Sequence, residues 1–312
     1  MKHPTLTASS GIGDAADHFL DHLEADRNFA ANTLAAYRSD LHQFIRFLLP
    51  RLADIRLPIA LVQPHTIREF MVELQANGLK AATRARKLAS VRALFRYLCR
   101  EGVVASNPAA GLPAPETQFR LPNTIKLAEF ERAILLPPSD DFRGARDRSI
   151  MEVFYGGGIR LRELVGLNLS ALEESDRTAR VGTSRFDRIV PLGEPAYKAL
   201  AHYLLQRTDL VVGLEITQVD AGALFLNTSG KRLHVRTVQR IVNRYLGAVV
   251  EANGLSPQVL RHSFTRHMLD AGAALSSVKE LLGHGTLGAT KLYARPDPGR
   301  LQEIYANAHP RA

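Results

Sequence analysis

The chain has 312 residues, of which 46% are hydrophobic and 23% charged, a composition typical of a folded protein with room for two domains. The formal net charge of +9 is spread along the chain, because residues 1–120 carry 15 Lys and Arg against 11 Asp and Glu, and residues 121–312 carry 25 against 20; this favours a polyanionic partner such as nucleic acid. The single cysteine, Cys99, excludes an internal disulfide and a thiolate metal cluster, and the lack of an apolar leader or a long apolar run predicts a cytoplasmic protein without a membrane span.

Residues 14–101 predict helices separated by turns. Apolar residues at alternating steps of three and four predict a helix capped by Asn32 or Thr33, with an apolar face of Leu34, Tyr37, Leu41, Phe44 and Leu48. A second helix is expected over 66–75. A third begins near Ala82, and its apolar side carries Leu88, Val91, Leu94, Phe95 and Leu98.

The third helix also carries a row of basic residues beside its apolar side. The row consists of Arg92, Arg96 and Arg100, which recur every four residues, with Arg84, Arg86 and Lys87 upstream. Most charged helix faces are merely solvated, and that alternative stays open here. Six positive charges with only Glu101 against them nevertheless favour contact with DNA phosphates or insertion into the major groove.

A proline-rich stretch marks the boundary between two domains. Gly111 and four prolines lie between Ser106 and Asn123, and such a density of proline breaks helices and stiffens an extended connector: Pro108, Pro113, Pro115 and Pro122. We therefore predict a helical first domain over 1–110, a linker over 111–123 and a second domain over 124–312.

The second domain has a mostly helical pattern with one short β region. Two β-like runs, 179–182 and 188–192, are separated by a loop at 184–187 that fits a hairpin. The patterns around them predict helices near 126–136, 144–156, 194–206, 235–252, 257–271, 275–282 and 297–308. The predicted fold is mainly α, with a small antiparallel sheet in the second domain.

Two arginines of this domain occupy positions suited to binding a phosphate. Arg160 follows three consecutive glycines, which permit close approach of the backbone to a ligand. Ser256 and Pro257 predict a helix start, and Gln258 and Arg261 then lie three residues apart on one face, where both can reach one phosphate. An arginine presents a fork of donors that matches phosphate oxygens. Taken singly, each is more often an ordinary surface residue.

A histidine and a tyrosine follow at the end of the domain. His284 comes after Gly283, a residue type that ends helices in the left-handed conformation, so its ring is expected at a helix exit. Tyr293 follows nine residues later in a segment between Gly288 and Pro296. A histidine can donate a hydrogen bond to phosphate, and a tyrosine oxygen can act as a covalent nucleophile. A lone tyrosine is usually a packing residue, so the prediction that Tyr293 is a nucleophile depends on its position after Arg160, Arg261 and His284 in the sequence.

Together these residues resemble the tyrosine site-specific recombinases, the phage integrase family, and in particular their bacterial Xer branch. The segments that carry the resemblance are 32–38, 107–109, 189–192, 260–264, 280–284 and 308–312. The resemblance implies a helical core-binding domain and a catalytic domain that hold DNA between them. It also implies a reaction like that of type IB topoisomerases, without a metal or nucleotide cofactor.

The resemblance further implies a role for each catalytic residue. Tyr293 would attack the scissile phosphate, form a 3′-phosphotyrosyl link and release a 5′-hydroxyl, and a partner strand's hydroxyl would reverse the step. Arg160, Arg261 and His284 would stabilise the charge on the phosphate oxygens in the transition state. Because the covalent link conserves the energy of the phosphodiester, the expected cofactor is none.

Two positions depart from the family pattern. Thr183 stands where the family places the lysine that protonates the leaving hydroxyl, and the nearest cation in the predicted hairpin is Arg185, a poor proton donor. Gln258 stands where the family usually has histidine; it can donate a hydrogen bond but cannot shuttle a proton. General acid catalysis is typically worth about 10²–10⁴-fold, so strand cleavage is expected to be slow, or absent.

Several functional hypotheses remain open at this stage. The first is a site-specific recombinase that resolves chromosome or plasmid dimers with a second recombinase, as a tetramer on two DNA duplexes. The alternatives are a catalytically deficient DNA-binding partner subunit, a mobile-element integrase, or a protein of unrelated role. The last predicted helix, with Leu301, Ile304 and Tyr305 on one side, is expected to dock on a neighbouring protomer or to pack on its own domain.

Overall fold

The computed structural model describes most of the chain, and it divides into two compact units, Met1–Arg120 and Leu121–Ala312. The described residues are 6–25, 29, 31–51, 58–116, 123–182, 187–215, 217, 219–251, 255–283 and 298–311.

In its described residues the first unit consists of four α-helices around one apolar core. The helices are α1 (Ile12–Ala25), α2 (Ala31–Leu48), α3 (Pro64–Ala76) and α4 (Ala81–Arg100). Their buried faces have the predicted spacing, and the largest fully buried side chains here include Phe44, Phe70 and Phe95. One expectation was wrong: α2 begins at Ala31, so Asn32 and Thr33 lie within its first turn and not at the capping position before it.

The second unit combines eight helices with a small sheet in its described residues. The helices are α5 (Leu127–Ile134), α6 (Phe142–Gly157), α7 (Leu161–Gly166), α8 (Glu194–Val212), α9 (Val235–Gly247), α10 (Gln258–Asp270), α11 (Leu275–Leu282) and α12 (Pro298–Ala308). The mainly α class with a small antiparallel sheet is therefore confirmed. α8 runs six residues past its predicted end, and α10 begins one residue after the predicted start.

The sheet has three antiparallel strands in sequence order. They are β1 (Leu172–Glu173), β2 (Thr178–Val181) and β3 (Arg188–Pro191). Ala179 lies opposite Val190, and both are buried, so this face of the sheet packs on the core. Strand β2 begins one residue before the predicted run, and the predicted loop residues 184–186 lie outside the described residues.

Helix α6 is the central element of the second unit and places the start of α7. It is buried on almost all sides, and it ends at Gly158, which has a left-handed φ of 54°. A Cβ at Gly158 would lie 2.5 Å from the ring of Phe264, so both the conformation and the contact require glycine. The chain turns there and enters α7 at Arg160.

The end of the chain packs on the unit to which it belongs. Tyr305 of α12 is buried against Phe264 and Met268, and its hydroxyl accepts a hydrogen bond of 3.2 Å from the main-chain N–H of Gly193. Arg311 forms an ion pair with the buried Glu152. This is the packing on its own domain that is one of the two arrangements expected for the last helix, and docking on a neighbouring protomer stays a prediction.

Two further properties concern the described ranges as a whole. None of their helices combines the length and the apolar character needed to cross a membrane. In the same ranges, no three His, Cys, Asp or Glu side chains converge on a point that could hold a metal ion.

Candidate active site

Arg160 sits at the N-terminus of α7 and is held there by Glu163. The Arg160 main-chain N–H donates to Oε2 of Glu163 at 2.7 Å, and its Nη1 donates to Oε1 at 2.7 Å. Glu163 thus caps the first turn of the helix and also orients the guanidinium. The Arg160 side chain remains 45% exposed, so it has access to a ligand.

Arg261 lies on α10 and is far less exposed than Arg160. The residue is only 5% exposed, and its guanidinium donates to the main-chain carbonyls of Gly158 and Leu282, the latter at 2.8 Å. These carbonyls belong to the ends of α6 and α11. Arg261 therefore ties the α6–α7 turn, which carries Arg160, to the C-terminus of α11.

A third arginine, Arg188 on β3, belongs to the same cluster and was missed in the sequence. Its Nη1 and Nη2 donate to the two carboxylate oxygens of Glu163 at 2.9 and 2.8 Å, and its Nε donates to the carbonyl of Leu281 at 2.7 Å. Glu163 could have been noticed from its spacing, since Arg160 and Glu163 stand three apart at a helix start. Arg188 gives no local signal, because only the tertiary structure brings β3 to this place.

The three arginines share one feature, the carbonyl cluster at the end of α11, which comprises the carbonyls of Leu281, Leu282 and Gly283. Arg188 binds the first, Arg261 the second, and Arg160 the third at 3.1 Å. The last carbonyls of a helix lack partners within the helix and carry its negative partial charge. They are therefore suited to hold three guanidinium groups that would otherwise repel one another.

The electrostatics of the cluster keep its members charged. Burial by itself would raise the pKa of Glu163, but the hydrogen bonds and charge of Arg188, with hydrogen bonds from Arg160, outweigh it and lower that pKa to about 2. Burial, and next the charges of Arg160 and Arg188, lower the pKa of Arg261 to about 10. At neutral pH, Glu163 is anionic and Arg261 is cationic.

Both Arg160 and Arg261 line an open cleft of about 1,090 Å³. Gln258 lines it as well, one turn before Arg261 on α10, as the spacing predicts. His262 is a further lining residue, and burial together with the Arg261 charge lowers its pKa, so it is neutral at pH 7. More cations surround the cleft: Arg162, Arg266 and Lys279. The cleft is rich in donors and suited to a phosphate group.

Four of the predicted site residues lie outside the described residues: Thr183, Arg185, His284 and Tyr293. Their roles stay predictions. Gly283 follows α11 and ends it with a left-handed φ of 62°, as the sequence predicts. In the sequence, His284 follows this glycine directly.

The basic row on α4 is divided by the structure into exposed residues and residues with internal partners. Lys87 is buried and donates to Asp40 at 2.9 Å, and Ser90 donates to the same carboxylate. Arg92 donates to the carbonyls of Ala109 and Leu112. The predicted DNA contact for Lys87 does not fit its burial, since a buried aspartate needs a cation beside it.

The remaining basic residues of α4 are more accessible. Arg86, Arg96 and Arg100 are exposed, although Arg86 also pairs with Asp40 and Arg100 bonds to His22. Arg84 is half-buried and donates to Gln75.

A second basic helix face appears in the other unit and was not predicted. Helix α9 buries one side and exposes Arg236, Arg240 and Arg244, spaced four residues apart.

Comparison with known proteins identifies the family of the chain. Residues 127–300 match the Phage integrase family, and residues 16–102 match the phage integrase N-terminal SAM-like domain. The tyrosine recombinase XerC of Pelotomaculum thermopropionicum is 36% identical over 299 residues, covering 95% of this chain and 98% of that protein. XerC of Myxococcus xanthus is 34% identical, covering 97% of this chain and 100% of the relative.

Solved structures share the fold at lower sequence identity. XerH site-specific recombinase bound to its difH substrate, before cleavage, has a TM-score of 0.69 at 19% identity, covering 98% of this chain and 99% of that one. A lambda integrase tetramer bound to a Holliday junction has a TM-score of 0.68 at 19% identity, covering 90% of this chain and 76% of that one. With two matching domains and relatives above 30% identity over nearly its whole length, the chain belongs to the phage integrase family, as a Xer-like tyrosine recombinase.

Proposed function

We propose that this recombinase cuts and rejoins specific DNA sites through a 3′-phosphotyrosyl intermediate on Tyr293. The Tyr293 hydroxyl loses its proton, and its oxygen bonds to phosphorus as the bond from phosphorus to the 5′ oxygen breaks. The 5′ oxygen takes up a proton and leaves as a hydroxyl, so that one proton is lost and one is gained in the step. The observation that carries the proposal is the convergence of Arg160 and Arg261 on one cleft from distant parts of the sequence. In this proposal both guanidinium groups stabilise negative charge on the phosphate oxygens.

The proposed reaction lacks an evident general acid to protonate the leaving oxygen. Thr183 replaces the family's lysine, and Gln258, which lines the cleft, replaces the usual histidine. We expect cleavage that is slower than in a recombinase with a general acid, by about 10²–10⁴-fold. The substitution also favours a second candidate function, a DNA-binding partner subunit that does not cut.

The biological role and the assembly belong to the proposal. The curated relatives are XerC recombinases, which supports dimer resolution of chromosomes or plasmids at cell division, in the cytoplasm. Solved relatives bind DNA, one as a tetramer on a Holliday junction, which supports a tetramer on two duplexes with a second recombinase. An integrase of the Tn1549 transposon also shares the fold, with a TM-score of 0.68, so a mobile-element role is the alternative.

Exposed cations supply the remaining contacts to DNA in this proposal. Arg96 and Arg100 on α4 and the Arg236, Arg240 and Arg244 face of α9 are accessible to phosphates. The affinity of the protein for DNA should therefore fall as the salt concentration rises, because each contact with a phosphate releases counterions from the DNA.

The decisive experiment is covalent trapping on a nicked suicide substrate. The DNA site is first selected from a randomised duplex library by the protein itself. Wild type should form an adduct stable to denaturation, and Tyr293→Phe should form none, whereas the control Tyr197→Phe, a tyrosine on α8, should behave as wild type. An adduct formed by Tyr293→Phe would assign the nucleophile elsewhere.

A second substrate separates the two candidate functions. A bridging sulfur at the 5′ position leaves without protonation, so it does not need a general acid. Cleavage of this substrate but not of normal DNA would mean an intact phosphate site that lacks only its proton donor. Failure on both substrates, with specific DNA binding retained, would favour the non-cutting partner subunit.

A further inference from the structure

Arg188 is the member of the arginine cluster that does not line the cleft. Its side chain is 10% exposed, and three of its N–H donors bind Glu163 and the carbonyl of Leu281. It therefore has little access to a phosphate, and any effect on the reaction must pass through the groups that it holds.

The first of these groups is the Glu163 carboxylate. Oε1 of Glu163 accepts from Nη1 of both Arg160 and Arg188, and Oε2 accepts from the Arg160 main-chain N–H and from Nη2 of Arg188. The two arginines thus share one anion. Arg188 keeps the carboxylate in place and takes up part of its charge, so that Arg160 retains donors for the cleft.

The second group is the end of α11. A Cβ built on Gly283 would lie 3.1 Å from Cδ and Nη1 of Arg188, so this glycine packs against the arginine. Arg188 also binds the Leu281 carbonyl two residues earlier. The arginine therefore fixes the last described turn before His284 in the chain.

We propose that Arg188 is a positioning residue for strand cleavage, which sets the Arg160–Glu163 pair and the end of α11 relative to each other. The inference rests on the proposed function, since it concerns the geometry of the same phosphate site. Misplacing a catalytic group by about 1 Å can cost about 100-fold in rate. A lysine at 188 can still bind Glu163 but cannot form the bidentate pair and hold the Leu281 carbonyl together.

The test measures the single-turnover rate on the suicide substrate at saturating DNA, separately from the dissociation constant for DNA. For Arg188→Gln we expect a rate about 10–100-fold lower with DNA affinity within about threefold of wild type. Arg188→Lys should recover part of the rate. The matched control is Arg146→Gln, because Arg146 is equally buried, pairs with Asp147 and donates to the Leu226 carbonyl, but lies outside the cleft. It should lower thermal stability and leave the rate unchanged.

A double-variant cycle distinguishes positioning from general destabilisation. If Arg188 acts through Glu163, the losses of Arg188→Gln and Glu163→Gln should not multiply, and the double variant should be close to the slower single variant. Assays are run well below the unfolding midpoint of each variant, and Arg188→Lys carries the test if Arg188→Gln does not fold.

Three results would overturn the inference: a wild-type rate for Arg188→Gln, a loss confined to DNA affinity, or losses that multiply in the double variant. The proposed function fails differently, because wild type itself would then give no adduct on either the normal or the sulfur substrate.

Discussion

The two units use their basic residues in different ways. In the second unit, Arg160, Arg188 and Arg261 come from three distant segments, and a single helix end holds all three. In the first unit, the basic row of α4 comes from one continuous helix, and several of its members bind internal acceptors. The arginine cluster of the second unit thus comes from residues far apart in sequence. In the regular row on α4, several basic residues bind acceptors inside their own unit and are less available to an external ligand.

The difference shows that the acceptor decides what an arginine or a lysine does. Lys87 and Arg96 are on one helix, yet the first faces the buried Asp40 and the second faces solvent. Around the cleft, Arg160 is also bound to an acceptor, yet it stays accessible to a ligand because nearly half of its side chain is exposed. The spacing of basic residues along a helix predicts which face of the helix carries them. It does not predict which acceptors in the rest of the fold will contact that face.

Among variants of the basic residues in the two units, the largest effect is expected for Arg261→Lys. A lysine keeps the positive charge but cannot bind the carbonyls of Gly158 and Leu282 and also reach a phosphate. Strand cleavage at saturating DNA should slow by about 10²–10³-fold, the usual cost of losing a transition-state donor. Single-turnover cleavage of the suicide substrate measures it.

The control for this variant is another buried arginine that binds carbonyls. Arg207 is 7% exposed and donates to Ala221 and Ala223. Arg207→Lys should reduce stability without a comparable loss of cleavage rate. Equal losses of cleavage rate in Arg261→Lys and Arg207→Lys would mean that Arg261 affects cleavage only through the stability of the fold.

The sequence predicted the helices of both units well because their apolar residues recur with helical spacing. The α11 end at Gly283 and the shared face of Gln258 and Arg261 followed from local rules. The roles of Arg188 and Glu163 were not predicted from the sequence. Their bidentate pair joins β3 to α7 across 25 positions, and no local pattern encodes such a contact.

The internal partners of the basic row on α4 could not be predicted from local sequence patterns either. The charge count was correct, but the acceptor of Lys87 is Asp40, on another helix, and the acceptors of Arg92 are main-chain carbonyls after the end of α4. A carbonyl group is present at every residue, so the sequence does not indicate which of them an arginine will bind.

An intermediate effect is expected for Lys87→Met, and on stability rather than on DNA binding. Removing one member of a buried ion pair leaves Asp40 with Arg86 and Ser90 as remaining partners, and the free energy of unfolding should fall by about 3 kcal/mol. Urea unfolding followed by circular dichroism measures the change. The dependence of DNA affinity on salt should stay that of wild type, and a flatter dependence would mean that Lys87 does reach a phosphate.

The smallest effect is expected for Arg96→Gln. In contrast to Lys87→Met, this change should affect DNA binding and leave the stability of the protein almost unchanged. Arg96 is exposed on α4, so its loss should change the free energy of unfolding by less than about 0.5 kcal/mol. If it contacts a phosphate, the slope of log affinity against log salt should become shallower by about 1, as measured by titrations between about 50 and 200 mM salt. Lys198→Gln removes the same charge from α8 and is expected to leave the slope unchanged. Equal slopes for wild type and both variants would assign the α4 row to solvent and leave α9 as the basic helix face to test next.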